Sequence, residues 1–425
     1  MSRSNLWESA HRHACSPRTP TYNELWNLKI TLPRCEKLCT CNKPTVRQGL
    51  SISSINRLGN RADPSPANNS GAPLRIALIA PPFIPVPPKV YGGTELFIGH
   101  LAEGLKARGV DVVVYSNGDS TIDVENRWLY AKAQWPIRGE IFDNLTDFNH
   151  TFWAVRDAMD SSDLVHVNNV PGVLCSRFCP LPMVSTIHHP HMPELSQLYG
   201  YHPELYYVTI SEFQRKCESM ARSRTIHHGI NMADYAISEV PRSYLAFLGR
   251  IAPMKGTHLA IQIAKQSGIP LKIAGEVQPV FKEYFEHEIA PHLDGKFIEF
   301  IGEVDLEGKN ALLGGALALL FPIQWNEPFG LVMIEAMACG TPVLALPGGS
   351  VPEVVREGVS GYVGNSVEEL IGRARNLKFD PEKVRGYVEE NFSVEAMAGK
   401  YLELYKEVLN GKKNSEREIQ PRAVA

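Results

Sequence analysis

The chain has 425 residues, 44% of them apolar and 21% charged, with 33 Gly and 31 Pro, which excludes a fibrous or wholly disordered protein and calls for more than one core. A net charge of −3 excludes the broad basic surface that nucleic acid or anionic lipid requires, so a small, mostly anionic ligand held by local charges fits better. No window holds the ~18–20 uncharged apolar residues of a bilayer span, and no apolar secretory signal opens the chain. The expectation is a cytoplasmic catalytic body, with peripheral membrane contact left open.

Residues 1–73 differ from the rest: they hold 10 of the 43 Lys and Arg but 4 of the 46 Asp and Glu. They lack apolar periodicity and end in the turn-rich Asp63-Pro64-Ser65-Pro66-Ala67-Asn68-Asn69-Ser70-Gly71, so a disordered extension is expected. Cys35, Cys39 and Cys41 lie there without a second ligand pair, a poor zinc pattern. Cys175, Cys179, Cys217 and Cys339 are scattered, as suits reduced thiols.

From Leu74 the apolar run Leu74–Ala80 predicts a buried parallel strand. Gly92-Gly93 then opens a helix with Phe97, Leu101 and Leu105 at helical spacing, closed by Lys106, Arg108 and Gly109, and a strand over Val110–Tyr115 follows. This is a βαβ unit of a doubly wound sheet. Strands are predicted at 164–167, 184–187 and 207–210, with helices around 152–159 and 212–221. A second series starts at Tyr244–Leu248 and continues with strands at 271–274, 298–301, 318–321 and 342–345. The fold class expected is α/β, two Rossmann-like doubly wound domains facing across a cleft, spanning 74–241 and 242–392, with a returning helix at 393–410 and a flexible tail at 411–425.

Ligands of such sheets bind at the carboxyl ends of strands, and the motifs fall there. Phe321 ends a strand, Glu327 lies in the loop beyond, and Pro328 suggests the first turn of a helix that stops at Gly340. Free N–H groups near Phe329, Gly330 and Leu331 would point to the cleft, and Glu327 and Glu335 suit hydroxyls of a sugar and a ribose. Either glutamate alone reads as an ordinary helix residue. Gly249-Arg250-Ile251-Ala252-Pro253-Met254-Lys255-Gly256 places two cations after a strand end, suited to a diphosphate. Gly275 marks the next strand end, Gly92 and Gly93 admit close approach of a ligand, and His188 in Thr186-Ile187-His188-His189 follows another strand.

Glu327 and Glu335, with Pro328-Phe329-Gly330 between them, resemble the E-x7-E signature of the retaining family-four glycosyltransferases, glycogen-synthase-like enzymes of the two-domain GT-B fold. The resemblance covers about residues 74–410. It implies that Arg250 and Lys255 neutralise the donor diphosphate, that His188 lies beside the reacting sugar, that the Gly92-Gly93 loop closes over the donor, and that Gly249 and Gly275 border the nucleotide. It implies a nucleoside diphosphate sugar as donor substrate, with a uridine diphosphate sugar first in expectation, a hydroxyl acceptor of unknown type, and no cofactor or metal; no Asp-x-Asp motif occurs in the chain. His228-Gly229-Ile230-Asn231 departs from the family's Asn-Gly-Val-Asp turn. The alternatives are a sugar phosphorylase or sugar-nucleotide epimerase on the same fold, a non-catalytic sugar-nucleotide binder, and, more remotely, a two-carboxylate glycoside hydrolase.

Overall fold

The computed structural model describes residues 73–89, 92–137, 139 and 141–419, with side chains as far as 411. Residues 1–72 of the expected extension 1–73, with its cysteine cluster, and Tyr91 lie outside the described residues. All the described residues fall in one compact unit, Ser70–Ala425.

Seven strands build the first sheet: β1 Arg75–Ile79, β2 Asp111–Ser116, β3 Glu125–Trp128, β4 Leu164–Val167, β5 Met183–Ile187, β6 Tyr206–Thr209 and β7 Ser223–Thr225. Their spatial order is β3-β2-β1-β4-β5-β6-β7, every pair parallel. The second sheet holds β8 Tyr244–Leu248, β9 Leu271–Ala274, β10 Ile298–Gly302, β11 Ala316–Phe321, β12 Val343–Ala345 and β13 Gly361–Val363, in the order β10-β9-β8-β11-β12-β13, again all parallel. A parallel sheet needs cover on both faces, and four apolar clusters supply it, two for each sheet. That requirement explains why the central strands are continuous apolar runs.

The sequence does not predict the edge strands β3, β7 and β13. Glu125-Asn126-Arg127-Trp128 carries no apolar run, because an edge strand keeps contact with water. Arg127 instead fixes it through ion pairs with Glu125 (2.7 Å) and Asp157 (2.5 Å).

The chain passes from one core to the other between Ile226, packed in the first, and Ile230, packed in the second, and it returns between Phe392 and Met397. The two crossings lie side by side: Ile230 N–H donates to Phe392 O (2.9 Å) and Val394 N–H to Ile230 O (3.0 Å). The segment leading to the expected boundary near 241 thus already packs with the second core. The last helix, Val394–Ile419, runs past the expected limit at 410. Ser393 Oγ caps it by accepting from Ala396 N–H (3.2 Å), and Glu395 sits one residue too early for the reciprocal bond of a capping box.

This helix docks on the first sheet through buried polar groups. His166 on β4 bonds Tyr405 OH (2.8 Å) and Thr186 Oγ1 (2.7 Å), and Thr186 in turn meets Tyr401 OH (2.9 Å). Burial pushes the His166 imidazole down to about 3, so it stays neutral.

Arg385, on the helix Pro381–Phe392, donates to the carbonyls of Met232 (2.8 Å), Tyr235 (2.8 Å) and Ala338 (2.6 Å). One guanidinium thus ties the crossing segment to the end of the helix Leu331–Ala338. Arg385→Ala removes the guanidinium donor from three carbonyls, of which Met232 O keeps only the long bond from Tyr235 N–H (3.5 Å), and is expected to cost about 3 kcal/mol, seen as a lowered melting temperature. An unchanged melting temperature would show that water replaces the guanidinium.

Candidate functional site

In each sheet the strand order reverses between two central neighbours, β1 and β4 in the first, β8 and β11 in the second. Loops leaving the carboxyl ends of such neighbours diverge and leave a crevice. The second crevice is built by glycines. Gly275 has φ +150°, and a Cβ there would stand 1.8 Å from Gly249 O. Gly256 has φ +73°, and a Cβ would stand 2.0 Å from Pro322 O. Backbone packs on backbone here, so the loops after β8, β9 and β11 hold one another in place; Gln324 N–H donates to Met254 O (2.8 Å) in the same contact.

Lys255 and Glu327 meet across these loops, Nζ to Oε2 at 2.5 Å. Trp325 Nε1–H donates to the same oxygen (3.0 Å), and the ammonium lies 4.7 Å from the Trp325 ring centroid. The sequence assigned Lys255 to the diphosphate and Glu327 to the sugar; the structure pairs them with each other. Arg250 follows Gly249 at the end of β8 and is half-buried.

The helix expected from Pro328 begins at Leu331, because Gly330 takes a left-handed φ of +82° and serves as its N-cap. Pro328 and Phe329 are buried loop residues. The Phe329 ring packs on His228 (5.0 Å), His227 (5.9 Å) and Phe392 (6.0 Å), so its side chain belongs to the wall and not to the opening. Glu335 is buried: Oε1 accepts from Lys309 Nζ (2.8 Å) and Tyr235 OH (3.2 Å), and Oε2 has no hydrogen-bond partner. Lys309 carries no signal in the sequence, lying on a separate helix, Leu306–Gly314.

From the first sheet, Gly92 (φ +149°) caps the helix Gly93–Lys106, and the Cβ position of Gly93 lies 3.7 Å from Leu331 Cδ1. The glycine loop therefore reaches the helix that carries Glu335. His188 follows β5; its Nε2 lies 3.0 Å from Asn168 Oδ1, and its ring stacks on His228 (5.5 Å) and lies tilted against Phe97 (4.8 Å). Burial, helped by neighbouring His166 and His189, pushes its imidazole down to about 3. It is neutral at pH 7.

His228, in the atypical turn, thus forms part of the wall. Ser211 caps the helix Glu212–Cys217 through Gln214 N–H (3.2 Å). The first two N–H groups of that helix, Glu212 and Phe213, donate to Glu353 of the second domain at 2.7 and 2.6 Å, and His227 Nε2 lies 3.1 Å from the same carboxylate. Despite burial, His227 and these N–H groups hold Glu353 below the usual carboxylate range. Asn168, Asn169, Lys309 and Glu353 are the site neighbours that sequence reasoning missed.

Beneath the glycine loop, burial pushes Glu95 up to about 7. The folded chain then holds a proton that the unfolded chain releases near 4.5, so stability falls as pH rises from 4.5 to 7. Glu95→Gln removes this term. The variant is expected to gain on the wild type by up to roughly 3 kcal/mol between pH 5 and pH 8, read from unfolding curves at both values. A gap that does not grow with pH would refute the shifted carboxyl.

Two family models match in tandem, Glycosyltransferase Family 4 over residues 91–238 and Glycosyl transferases group 1 over 237–407. The glycogen synthase of Mycobacterium tuberculosis is 27% identical over 405 residues, covering 79% of this chain and 95% of that protein. A phosphatidyl-myo-inositol mannosyltransferase of Mycobacterium leprae is 26% identical, covering 68% of this chain and 83% of its own length. Among solved structures, sucrose-phosphate synthase of Thermosynechococcus elongatus superposes with TM-score 0.65 at 20% identity, over 80% of this chain and all of that one. The Anabaena protein HepE, in complex with UDP and glucose, gives 0.62 at 18% identity over 78% and 99%. With the two models meeting at the crossing segment and taking in 91–407 between them, the chain belongs to the family-four glycosyltransferases of the GT-B fold.

Proposed function

We propose that this glycosyltransferase works with retention, moving a hexose from a nucleoside diphosphate sugar, uridine diphosphate first among them, to a hydroxyl acceptor. The observation that carries the reading is the Lys255–Glu327 pair at the mouth of the β8/β11 crevice. A diphosphate entering there offers Lys255 a stronger partner than a single carboxylate, and its transfer frees Glu327 Oε2 to accept from sugar hydroxyls. Arg250 adds a second cation, and the N–H groups at Leu331 and beyond supply dipoles. Glu335 Oε2, buried and unpartnered, is suited to a ribose hydroxyl.

In the step itself the C1–O bond to the diphosphate breaks and its electron pair leaves on phosphate, where Lys255 and Arg250 stabilise the charge. The acceptor oxygen bonds C1 on the same face and gives its proton to the departing phosphate oxygen. No protein base is needed, which agrees with a His188 whose burial makes its imidazole a weak base. HepE, solved in complex with UDP and glucose, supports uridine diphosphate glucose as the first donor to test. No helix among the described residues is long and apolar enough to cross a membrane. The described cysteines Cys175, Cys179, Cys217 and Cys339 are free, which supports a cytoplasmic location.

A thermal-shift screen of nucleotides and nucleotide sugars tests the donor reading. A uridine diphosphate sugar at a hundred times its Kd adds about 2.7 kcal/mol and raises the melting temperature. No shift with any nucleotide sugar would sink the proposal. NMR of the anomeric proton in the product decides retention against inversion.

A further inference from the structure

The helix Ile141–Ala158 is turned the wrong way round for a helix on a protein surface. Over its first three turns the side that faces the domain is polar: Thr146, His150 and Thr151 are buried. Thr146 Oγ1 donates to Phe142 O (2.9 Å), His150 Nε2 lies 3.1 Å from Ala80 O, and Thr151 Oγ1 accepts from Asn169 Nδ2 (2.6 Å), so each of the three is bonded within the domain. The apolar side chains stand outward instead. Ile141 is 77% exposed, Phe142 67%, Leu145 57%, and Phe152, stacked on Phe148, 44%. Burial of apolar surface is the main gain a helix makes by docking, and here four large side chains forgo it.

The apolar face extends past the helix. Of the thirteen large apolar residues that stand exposed among the described residues, eight lie between 128 and 152, and the others are scattered over both domains. Tyr130 joins the two parts of the patch: its hydroxyl accepts from Asn149 Nδ2 (3.0 Å) and its ring stacks on His150 (6.4 Å), which lays the strand exit at Trp128 and Leu129 along the helix. At their observed exposures the eight residues present roughly 800–900 Å², above the ~300–600 Å² of the largest patch on a typical monomer and close to the ~800 Å² that each partner buries in a standard interface. Charge narrows the occupant. The stretch 141–152 contains no Lys or Arg, and the helix's first cation, Arg156, is paired with Asp160 (3.1 Å), so this helix lacks the basic residues by which a helix grips an anionic membrane. Its two carboxylates in that stretch, Asp143 and Asp147, are half-buried, so two copies of the face can meet without opposing like charges.

We propose that the chain pairs with a second copy of itself through this face, the outer side of the helix Ile141–Ala158 meeting its counterpart about a two-fold axis. In such an isologous contact each patch supplies both halves of the interface, so an apolar face without exposed charge is complementary to itself. Phe142, flanked by Ile141 and Leu145, is the anchor, because it is the most exposed aromatic residue of the patch and aromatic side chains are enriched at interface cores. The pairing is independent of the donor assignment above and stands or falls separately.

The test is sedimentation equilibrium of the full chain between about 1 and about 100 μM. The wild type should reach twice the chain mass in that range, with a melting temperature that rises with protein concentration. Phe142→Glu with Leu145→Glu should weaken the dimer about 100-fold or more, because each copy then presses like charges on the other. Phe142→Ser with Phe152→Ser adds no charge and should weaken it about tenfold, which covers the case in which the glutamates disturb the helix. Val280→Glu, on the second domain and 69% exposed, should leave the mass unchanged. A wild type that stays monomeric at the highest concentration, a folded double variant that stays dimeric, or an equal loss with Val280→Glu would overturn the proposal. So would flotation of the wild type, lost in the double variants, with phosphatidylcholine–phosphatidylglycerol vesicles, which would give the face to lipid.

Discussion

Lys255→Ala and Glu327→Ala are each expected to lower sugar transfer by about 10²–10³-fold while leaving the fold intact. In the proposed mechanism, removing Lys255 takes away the charge that stabilises the departing diphosphate, a loss felt in the transition state, so kcat should fall more than donor KM rises. It also leaves the Glu327 carboxylate, 7% exposed, beside the incoming diphosphate without its cation. Removing Glu327 keeps the cation but deprives the sugar of its acceptor. Because the two side chains share one hydrogen bond, the double variant should lose less than the product of the two single losses. Melting temperatures near that of the wild type would separate this result from simple unfolding. Near-normal transfer in both single variants would remove the pair from the chemistry.

The sequence shows the buried strands and the apolar edge β10 clearly and the other three edges poorly, for one physical reason. β1, β4, β8 and β9 are covered on both faces, so burial imposes an apolar run that is visible without a structure. β3, β7 and β13 are short or polar and are held by pairing to their neighbours, which no local pattern announces. The site divides in a similar way. Gly249, Lys255, Glu327 and Glu335 follow strand ends inside compact motifs and can be read in order. Their mutual pairing cannot: that Lys255 meets Glu327, or that Glu335 meets Lys309, depends on loops and helices brought together by the sheet. Pro328 misplaces the start of its helix because a proline tolerated at a first turn is equally tolerated in the loop before it, and the left-handed Gly330 decides the matter. Asn168 and Asn169 sit at the end of β4, next to the strand-order reversal, and the reversal is a property of the sheet alone.

Gly349→Ala is expected to abolish most transfer although it removes no side chain that is proposed to meet the substrate. Gly349 has φ +59°, and a Cβ there would come within 2.1 Å of Glu327 O and 2.5 Å of Glu327 N. The loop that carries Glu327 is seated on this glycine and its neighbour: Ser350 N–H donates to Glu327 O (2.9 Å), and Ser350 Oγ–H to Phe329 O (2.8 Å). A methyl group cannot be absorbed by a side-chain rotation, because what it meets is backbone. The loop must move, and with it the carboxylate that pairs with Lys255. A displacement of about 1 Å in a positioned group costs on the order of 10²-fold in rate, and the clash itself about 2–3 kcal/mol in stability. Gly358→Ala is the matched control. Its φ of +73° imposes a similar left-handed strain, yet nothing lies within 4 Å of its Cβ position, so only about 1 kcal/mol should be lost and transfer should persist. Equal activity in the two variants would show that the Glu327 loop tolerates displacement, and that its fixed position is no part of the rate.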